Sequence, residues 1–150
     1  AMTGWRAGFA CGPEEIIKGL VRIHQYTIMS APTMSQMAAL EALKNGGEYV
    51  IKMRDEYDRR RKLIVNGLNS LGLPTFEPKG AFYAFPNITV TGMDDETFAQ
   101  KLLEEERVAC VPGSSFGAGG EGYVRCSYAT SYEKLEEALR RIEHFMTRHG

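Results

Sequence analysis

The long run from Glu48 to Leu71 restricts the possible folds more than any other part of this sequence. Its apolar residues recur at helical intervals with charged residues between them, and Gly72 and Pro74 end the run. This period predicts one long amphipathic helix. The apolar positions are Val50, Met53, Tyr57, Ile64, Leu68 and Leu71.

Two shorter helices are predicted before this run. In "GPEE", a glycine, a proline and two acids stand in the order of a helix start, which predicts a helix over about 13–26. Thr33 and Gln36 have capping-box spacing before an alanine and leucine run that stops at Asn45-Gly46-Gly47, which predicts a second helix. The apolar "RAGFAC" before them suits a buried strand.

Short strands and two further helices are predicted after the long run. "PTFEP" and "GAFYAFPNI" suit a hairpin whose second strand lies at an edge or bends at Pro86. "DDETFAQKLLEEER" begins with acidic capping residues, and "VACVPG" and "GYVRCSYA" suit strands on either side of a glycine-rich loop. Thr130 and Glu133 are predicted to cap the last helix. The expected order is helix, helix, long helix, two strands, helix, two strands, helix.

Composition narrows the classes of function. A chain of 150 residues suits one domain, and 18 basic against 19 acidic residues give no overall field that attracts nucleic acid or anionic lipid. No apolar run approaches the length of roughly 20 residues that a spanning helix needs. Three separated cysteines form neither a disulfide framework nor a metal-ligand set, which favours a reducing compartment.

Several candidate motifs are better explained by structure than by chemistry. A phosphate loop needs a helix after it, yet a strand is predicted after "PGSSFGAGGEG". The basic residues of "RDEYDRRRK" alternate with acids on a helix, which favours a solvated face over nucleic-acid binding. The three histidines share no metal-ligand spacing.

Arg6 and Arg125 remain as candidate functional residues. Each stands in an apolar segment that reads as a strand, where an unpaired guanidinium is costly. Either an internal carboxylate or an anionic ligand must pair with each arginine, and the residues alone favour the internal salt bridge.

A resemblance to a known family favours the ligand instead. "AMTGWRAGF", "HQYTIMSAPTMSQMAALEAL", "RRRKLIVNGLNSLGLPTFEPKGAFYAFPNI" and "VACVPGSSFGAGGEGYVRCSYATSYEKLEEALRRI" resemble, in order and spacing, the C-terminal half of class I and II aminotransferases. These are fold-type-I enzymes that use pyridoxal 5'-phosphate (PLP). Within the family, the sequence is most similar to bacterial and archaeal aspartate-type or aromatic aminotransferases.

The resemblance implies an α/β (α+β) small domain, 1–150, with long helices packed on a small mixed sheet. A residual strand and helices of the large domain would occupy about 1–45. Arg6 would bind the PLP phosphate and Arg125 the α-carboxylate of the substrate. Phe82 and Tyr83 would face the substrate pocket, although ordinary core packing is an equal alternative for both aromatic residues.

The resemblance also implies the activity of a parent protein, an amino-group transfer between an amino acid and a 2-oxo acid in a cytoplasmic homodimer. The family's Schiff-base lysine falls about three residues before Ala1, so the isolated chain is expected to be a C-terminal fragment without activity. Two alternatives remain open. One is a PLP-dependent carbon–sulfur lyase or an aminocyclopropane-carboxylate synthase-like enzyme, and the other is the aminotransferase-like domain of a transcription regulator.

Overall fold

The computed structural model describes residues 2–150 and divides the chain into two compact units, Ala1–Met53 and Arg54–Gly150. Five helices follow in order: α1 Glu14–Thr27, α2 Thr33–Asn45, α3 Gly47–Ser70, α4 Asp95–Glu106 and α5 Tyr132–His149. Three short strands are β1 Tyr83–Ala84, β2 Val111–Pro112 and β3 Val124–Ser127. None of the helices in this described part combines the length and apolar character needed to cross a membrane. The helix-rich fold with a small sheet confirms the predicted class.

The first unit holds α1, α2 and the start of α3, and it has almost no core of its own. Within α1 and α2 the single buried residue is Ser35. Large apolar side chains of this unit are exposed, among them Trp5, Phe9, Ile16 and Leu43. The bounds of α1 and α2 agree with the sequence patterns to within about a residue.

Two local predictions in the first unit are wrong. "RAGFAC" forms no strand: Arg6 ends a 3-10 turn with a left-handed φ of 52°, and residues 7–13 have no regular structure. A strand needs a neighbouring strand to pair with, and the described residues supply none here. The Thr33 capping box is also absent, because Pro32 occupies the N-cap and Gln36 donates to the Ala31 carbonyl oxygen at 2.8 Å.

The exposed apolar faces of the first unit lead to a prediction for residues 1–150 as an isolated polypeptide. Helices as short as α1, with 14 residues, are marginal without tertiary packing, and uncovered apolar faces favour association. We expect either self-association in light scattering or rapid hydrogen exchange of backbone amides up to residue 30. A strictly monomeric polypeptide with complete protection of that segment would contradict this expectation.

The second unit encloses the hydrophobic core. One face of α3 buries Ile64, Val65 and Leu68 against the apolar faces of α4 and α5 and against the sheet. The remaining core positions are Leu73, Ala84, Ile88, Phe98, Leu102, Val124, Tyr128, Leu135, Ile142 and Phe145. The helical period of the long run therefore identifies the buried face of the second half of α3 correctly.

The sheet has the order β1-β3-β2 and is antiparallel at both pairs, not mixed as expected. The loop between β2 and β3 joins two antiparallel neighbours directly. The connection from β1 to β2 runs through α4, and β2 pairs with the edge of β3 that does not pair with β1. The two strands that run in the same direction are therefore separated by β3. The expected hairpin of "PTFEP" is reduced to one antiparallel bridge between Thr75 and Pro86.

Side-chain caps fix the starts of α4 and α5. Asp94 caps α4, as the acidic start predicts, by accepting from the Thr97 backbone N–H at 2.7 Å. The cap of α5 lies one residue later than predicted: Ser131, not Thr130, accepts from the Lys134 N–H at 3.4 Å.

Candidate functional site

Arg125 lies in β3 at the centre of the sheet, opposite Val111 of β2. Its guanidinium carbon is 4.4 Å from the centre of the Tyr83 ring and 4.5 Å from the centre of the Phe116 ring. An aromatic face attracts a cation and favours a flat guanidinium above it. The two rings therefore restrain where the fork of Arg125 can lie.

No protein acceptor pairs with this guanidinium among residues 2–150, which give it neither a hydrogen bond nor an ion pair. Other arginines of the same unit behave differently, since Arg61 pairs with both Asp58 and Glu77. The internal salt bridge that the sequence alone favoured for Arg125 is therefore absent from the described residues. Its N–H groups therefore have no acceptor within the described part of the chain.

The two aromatic residues predicted beside Arg125 contact each other, with ring centres 4.7 Å apart, but have different further partners. Tyr83 lies in β1, opposite Ser127 of β3, and its ring contacts the guanidinium directly. Phe82 stacks on Tyr57 with ring centres 5.8 Å apart and packs against the hydrophobic core. Phe82 thus has the packing of a core residue, while Tyr83 belongs to the surroundings of Arg125.

Tyr128 holds the start of β1 in place. Its buried hydroxyl donates to the Ala81 carbonyl oxygen at 3.0 Å, and its backbone N–H donates to the Phe82 carbonyl oxygen at 2.9 Å. Ala81 adopts a left-handed φ of 58°, a conformation that costs a non-glycine residue about 1–2 kcal/mol. Two hydrogen bonds from one residue stabilise this turn and so fix the strand that carries Tyr83.

Phe116 comes from the glycine-rich loop between β2 and β3. This loop closes on itself: the Gly113 N–H donates to the Tyr123 carbonyl oxygen at 2.8 Å. A Cβ atom at Gly113 would collide with the carbonyl oxygen of Gly120, so only glycine fits there. The loop is a compact turn that brings the Phe116 ring to Arg125 and to Phe85.

Arg6 has a different environment from the one expected. It is exposed rather than placed in an apolar strand, and Nη1 donates one long hydrogen bond to the Thr3 carbonyl oxygen at 3.4 Å. No carboxylate lies within ion-pair distance of Arg6 among residues 2–150. Apart from this long hydrogen bond, the Arg6 N–H groups have no acceptor among residues 2–150, and a guanidinium with such free donors is able to pair with a phosphate.

The sequence patterns did not single out Phe116 or Asp95. Phe116 was visible in "VPGSSFG", but no local period marks a loop aromatic as the neighbour of an arginine nine residues later. The sequence predicts Asp95 as a helix-start residue, yet its side chain is buried and accepts from the Ser114 backbone N–H at 2.8 Å. Both contacts cross between elements and depend on the fold.

Comparisons with known proteins find aminotransferases that are similar to this chain. The aspartate aminotransferase of Pyrococcus abyssi is 53% identical over 95% of this chain and 37% of its own length. The aromatic-amino-acid aminotransferase 2 of Thermococcus litoralis is 50% identical over 95% of this chain and 37% of its own length. A crystal structure of the aromatic aminotransferase of Pyrococcus horikoshii superposes with a TM-score of 0.92 at 52% identity, over 98% of this chain and 40% of that one.

The chain thus spans less than half the length of these relatives. The structural match at high identity also assigns it to the fold-type-I architecture that the resemblance implied. A family model described as aminotransferase class I and II matches residues 1–142. This chain belongs to the class I and II aminotransferase family.

Proposed function

We propose that these 150 residues are the C-terminal portion of a PLP-dependent aminotransferase that transfers an amino group between an amino acid of aspartate or aromatic type and a 2-oxo acid. The observation that carries the proposal is Arg125, a half-buried guanidinium against two aromatic rings without an acceptor in the described residues. Amino acids and 2-oxo acids share one group that such a fork can bind in two-pronged fashion, the α-carboxylate.

The two arginines would bind two different anionic groups, one on the cofactor and one on the substrate. Bound PLP supplies an electron sink for the electrons left when the α-carbon of the amino acid loses a proton. Arg125 would bind the α-carboxylate with two parallel hydrogen bonds and so orient the Cα–H bond. Arg6 would bind the phosphate, where its permanent charge and free N–H groups complement a dianion. Tyr83 and Phe116 would keep the Arg125 fork in a fixed plane.

The remaining family features belong to the same proposal. Residues 1–150 would be the small domain, with residues up to about 45 belonging structurally to the large domain. The complete enzyme would be a cytoplasmic homodimer. The free thiols of Cys11, Cys110 and Cys126 support a reducing compartment.

A chimera tests the proposal. Residues 1–150 replace the matching segment of the aspartate aminotransferase of Pyrococcus abyssi, and this protein is called the chimera below. We expect it to bind PLP and to transfer the amino group of aspartate or an aromatic amino acid to 2-oxoglutarate. Residues 1–150 alone should show no turnover and no borohydride-stable PLP adduct.

The products discriminate between the alternatives. Release of ammonia and a thiol without formation of glutamate would favour a carbon–sulfur lyase, and release of a thioether from a sulfonium substrate would favour the synthase-like enzyme, because both reactions eliminate a group instead of transferring nitrogen. PLP binding without turnover of any amino acid would favour the regulatory domain. A chimera that folds but retains no PLP would contradict the proposal.

Arg6→Ala in the chimera tests the phosphate assignment. Loss of hydrogen bonds to a charged group should weaken PLP binding by roughly 10- to 150-fold, while kcat recovers in excess PLP. The PLP dissociation constant, measured by absorbance titration, checks this. Arg22→Ala is the matched control, because Arg22 is an exposed arginine of α1 in the same unit. Equal PLP retention by the Arg6 variant and the control would refute the assignment.

A further inference from the structure

Asp95 is a buried carboxylate that the proposed function leaves without a role. It lies in the first turn of α4 and is 5% exposed. Asp94 already caps this helix, so Asp95 is not needed as the cap. A buried acid requires hydrogen bonds to compensate for its lost hydration.

The partner of Asp95 belongs to the loop between β2 and β3, not to its own helix. Asp95 Oδ2 accepts from the Ser114 backbone N–H at 2.8 Å, across 19 residues of sequence. Hydrogen bonds from Ser114, through its hydroxyl and then its backbone N–H, hold the pKa of Asp95 below its usual range, and the Gly122 N–H adds to this effect. Asp95 is therefore a charged anchor under the loop.

The anchored turn is the one that carries Phe116. Gly113–Phe116 form a single 3-10 turn, whose end is closed by a hydrogen bond from the Gly117 N–H to the Ser114 carbonyl oxygen at 3.0 Å. Phe116 is thus two residues from the Asp95 hydrogen bond, and its ring lies 4.5 Å from the Arg125 guanidinium. One short 3-10 turn therefore links the Asp95 carboxylate, through Ser114, to the Phe116 ring that contacts the Arg125 guanidinium.

We propose that Asp95 is a positioning residue for the carboxylate site: by holding the Ser114 backbone N–H, it fixes the turn that presses Phe116 against Arg125. Asp95 touches neither substrate nor cofactor and acts through Phe116. This inference rests on the proposed function, because it assumes that Arg125 binds the α-carboxylate. The inference adds that a residue of helix α4, which contacts the loop through Ser114, affects how tightly the substrate carboxylate is bound.

The experiment compares two neighbouring acids in the chimera. Asp95→Ala should weaken binding of 2-methylaspartate, which carries the α-carboxylate but has no Cα–H to lose, by about tenfold. KM for the amino donor should rise by a similar factor, and the PLP dissociation constant should stay within twofold. Asp95→Asn keeps an acceptor oxygen and the side-chain shape, so it should show a smaller effect and guards against a variant that fails to fold.

Asp94→Ala is the matched control. It removes the cap of the same helix, an acceptor of the Thr97 N–H, and so lowers the melting temperature without touching the loop. A positioning role predicts that Asp94→Ala leaves 2-methylaspartate affinity unchanged. If Asp94→Ala weakens this affinity as much as Asp95→Ala does, the effect comes from loss of helix stability and the inference is wrong.

A double-mutant cycle tests the route through Phe116. When Phe116 is already alanine, Asp95→Ala should weaken 2-methylaspartate binding by less than about twofold, because the connecting ring is absent. Full additivity would overturn the inference. These outcomes are distinct from failure of the proposed function, in which the unmutated chimera itself would lack transamination or Arg125→Ala would leave it unaffected.

Discussion

Arg125→Ala in the chimera is expected to lower kcat/KM for every amino donor by roughly 30- to 4000-fold, equivalent to ~2–5 kcal/mol. If Arg125 binds the α-carboxylate as proposed, its removal leaves the substrate carboxylate without its charged partner. Since all donors and 2-oxo acids share that carboxylate, the loss should be similar for aspartate and aromatic substrates. Affinity for PLP should barely change. Steady-state kinetics with both donor types and a PLP titration measure these quantities.

Arg125→Lys should recover only part of the loss. A lysine keeps the positive charge but cannot form two parallel hydrogen bonds, and it packs less well on the rings of Tyr83 and Phe116. Arg140→Ala is the matched control, since Arg140 forms an exposed ion pair with Glu137, and such pairs contribute little. A normal kcat/KM for Arg125→Ala, with only a lowered melting temperature, would reduce Arg125 to a structural residue.

The parts of the fold that the sequence predicts well are those that a single helix determines by itself. The apolar period of Glu48–Leu71 predicts α3, observed as Gly47–Ser70, because one face of a long helix must be apolar to pack. Caps are less certain where several polar residues are adjacent. Thr130 and Ser131 both can cap α5, and only the path of the chain selects Ser131.

Strands were harder to predict because a strand is a property of a pair. "RAGFAC" has strand composition, yet nothing in the described residues pairs with it. Similarly, "PTFEP" forms one bridge, Thr75 with Pro86, since proline lacks the N–H that a longer ladder needs. The strand containing Arg125 was correctly predicted, because β3 lies at the centre of the sheet and pairs on both sides.

The candidate site also has parts that the sequence predicts and parts that only the fold shows. Sequence resemblance singled out Arg125 and Tyr83, and the structure brings these two residues into contact. It could not separate Phe82 from Tyr83, because the two rings are neighbours, 4.7 Å apart at their centres, and only the fold shows that Phe82 also packs against the core while Tyr83 contacts Arg125. Asp94 and Asp95 likewise look equivalent in sequence, but one caps its helix and the other reaches the loop.

Phe145→Ala is expected to lower the free energy of unfolding of the second unit by about 3–5 kcal/mol, because a large buried ring leaves a cavity that the core fills only partly. Phe145 of α5 is 0% exposed and meets the edge of Phe98 at a ring-centre distance of 5.3 Å. Urea unfolding of the isolated polypeptide measures the effect. The near-ultraviolet circular dichroism of tyrosine reports on this core, in which Tyr57 and Tyr128 are packed.

Phe76→Ala is the control for this prediction, since it removes the same ring from a side chain that is 79% exposed. Its effect should stay within about 0.5 kcal/mol, as for most surface substitutions. Equal shifts for both variants would mean that the tyrosine signal does not report a cooperative core. A large loss for Phe145→Ala alone would indicate that the stability of the second unit depends on the core formed by α3, α4 and α5. Arg125 lies in the central strand of that unit. The positions of Arg125 and of the Tyr83 and Phe116 rings that contact it therefore depend on the same core.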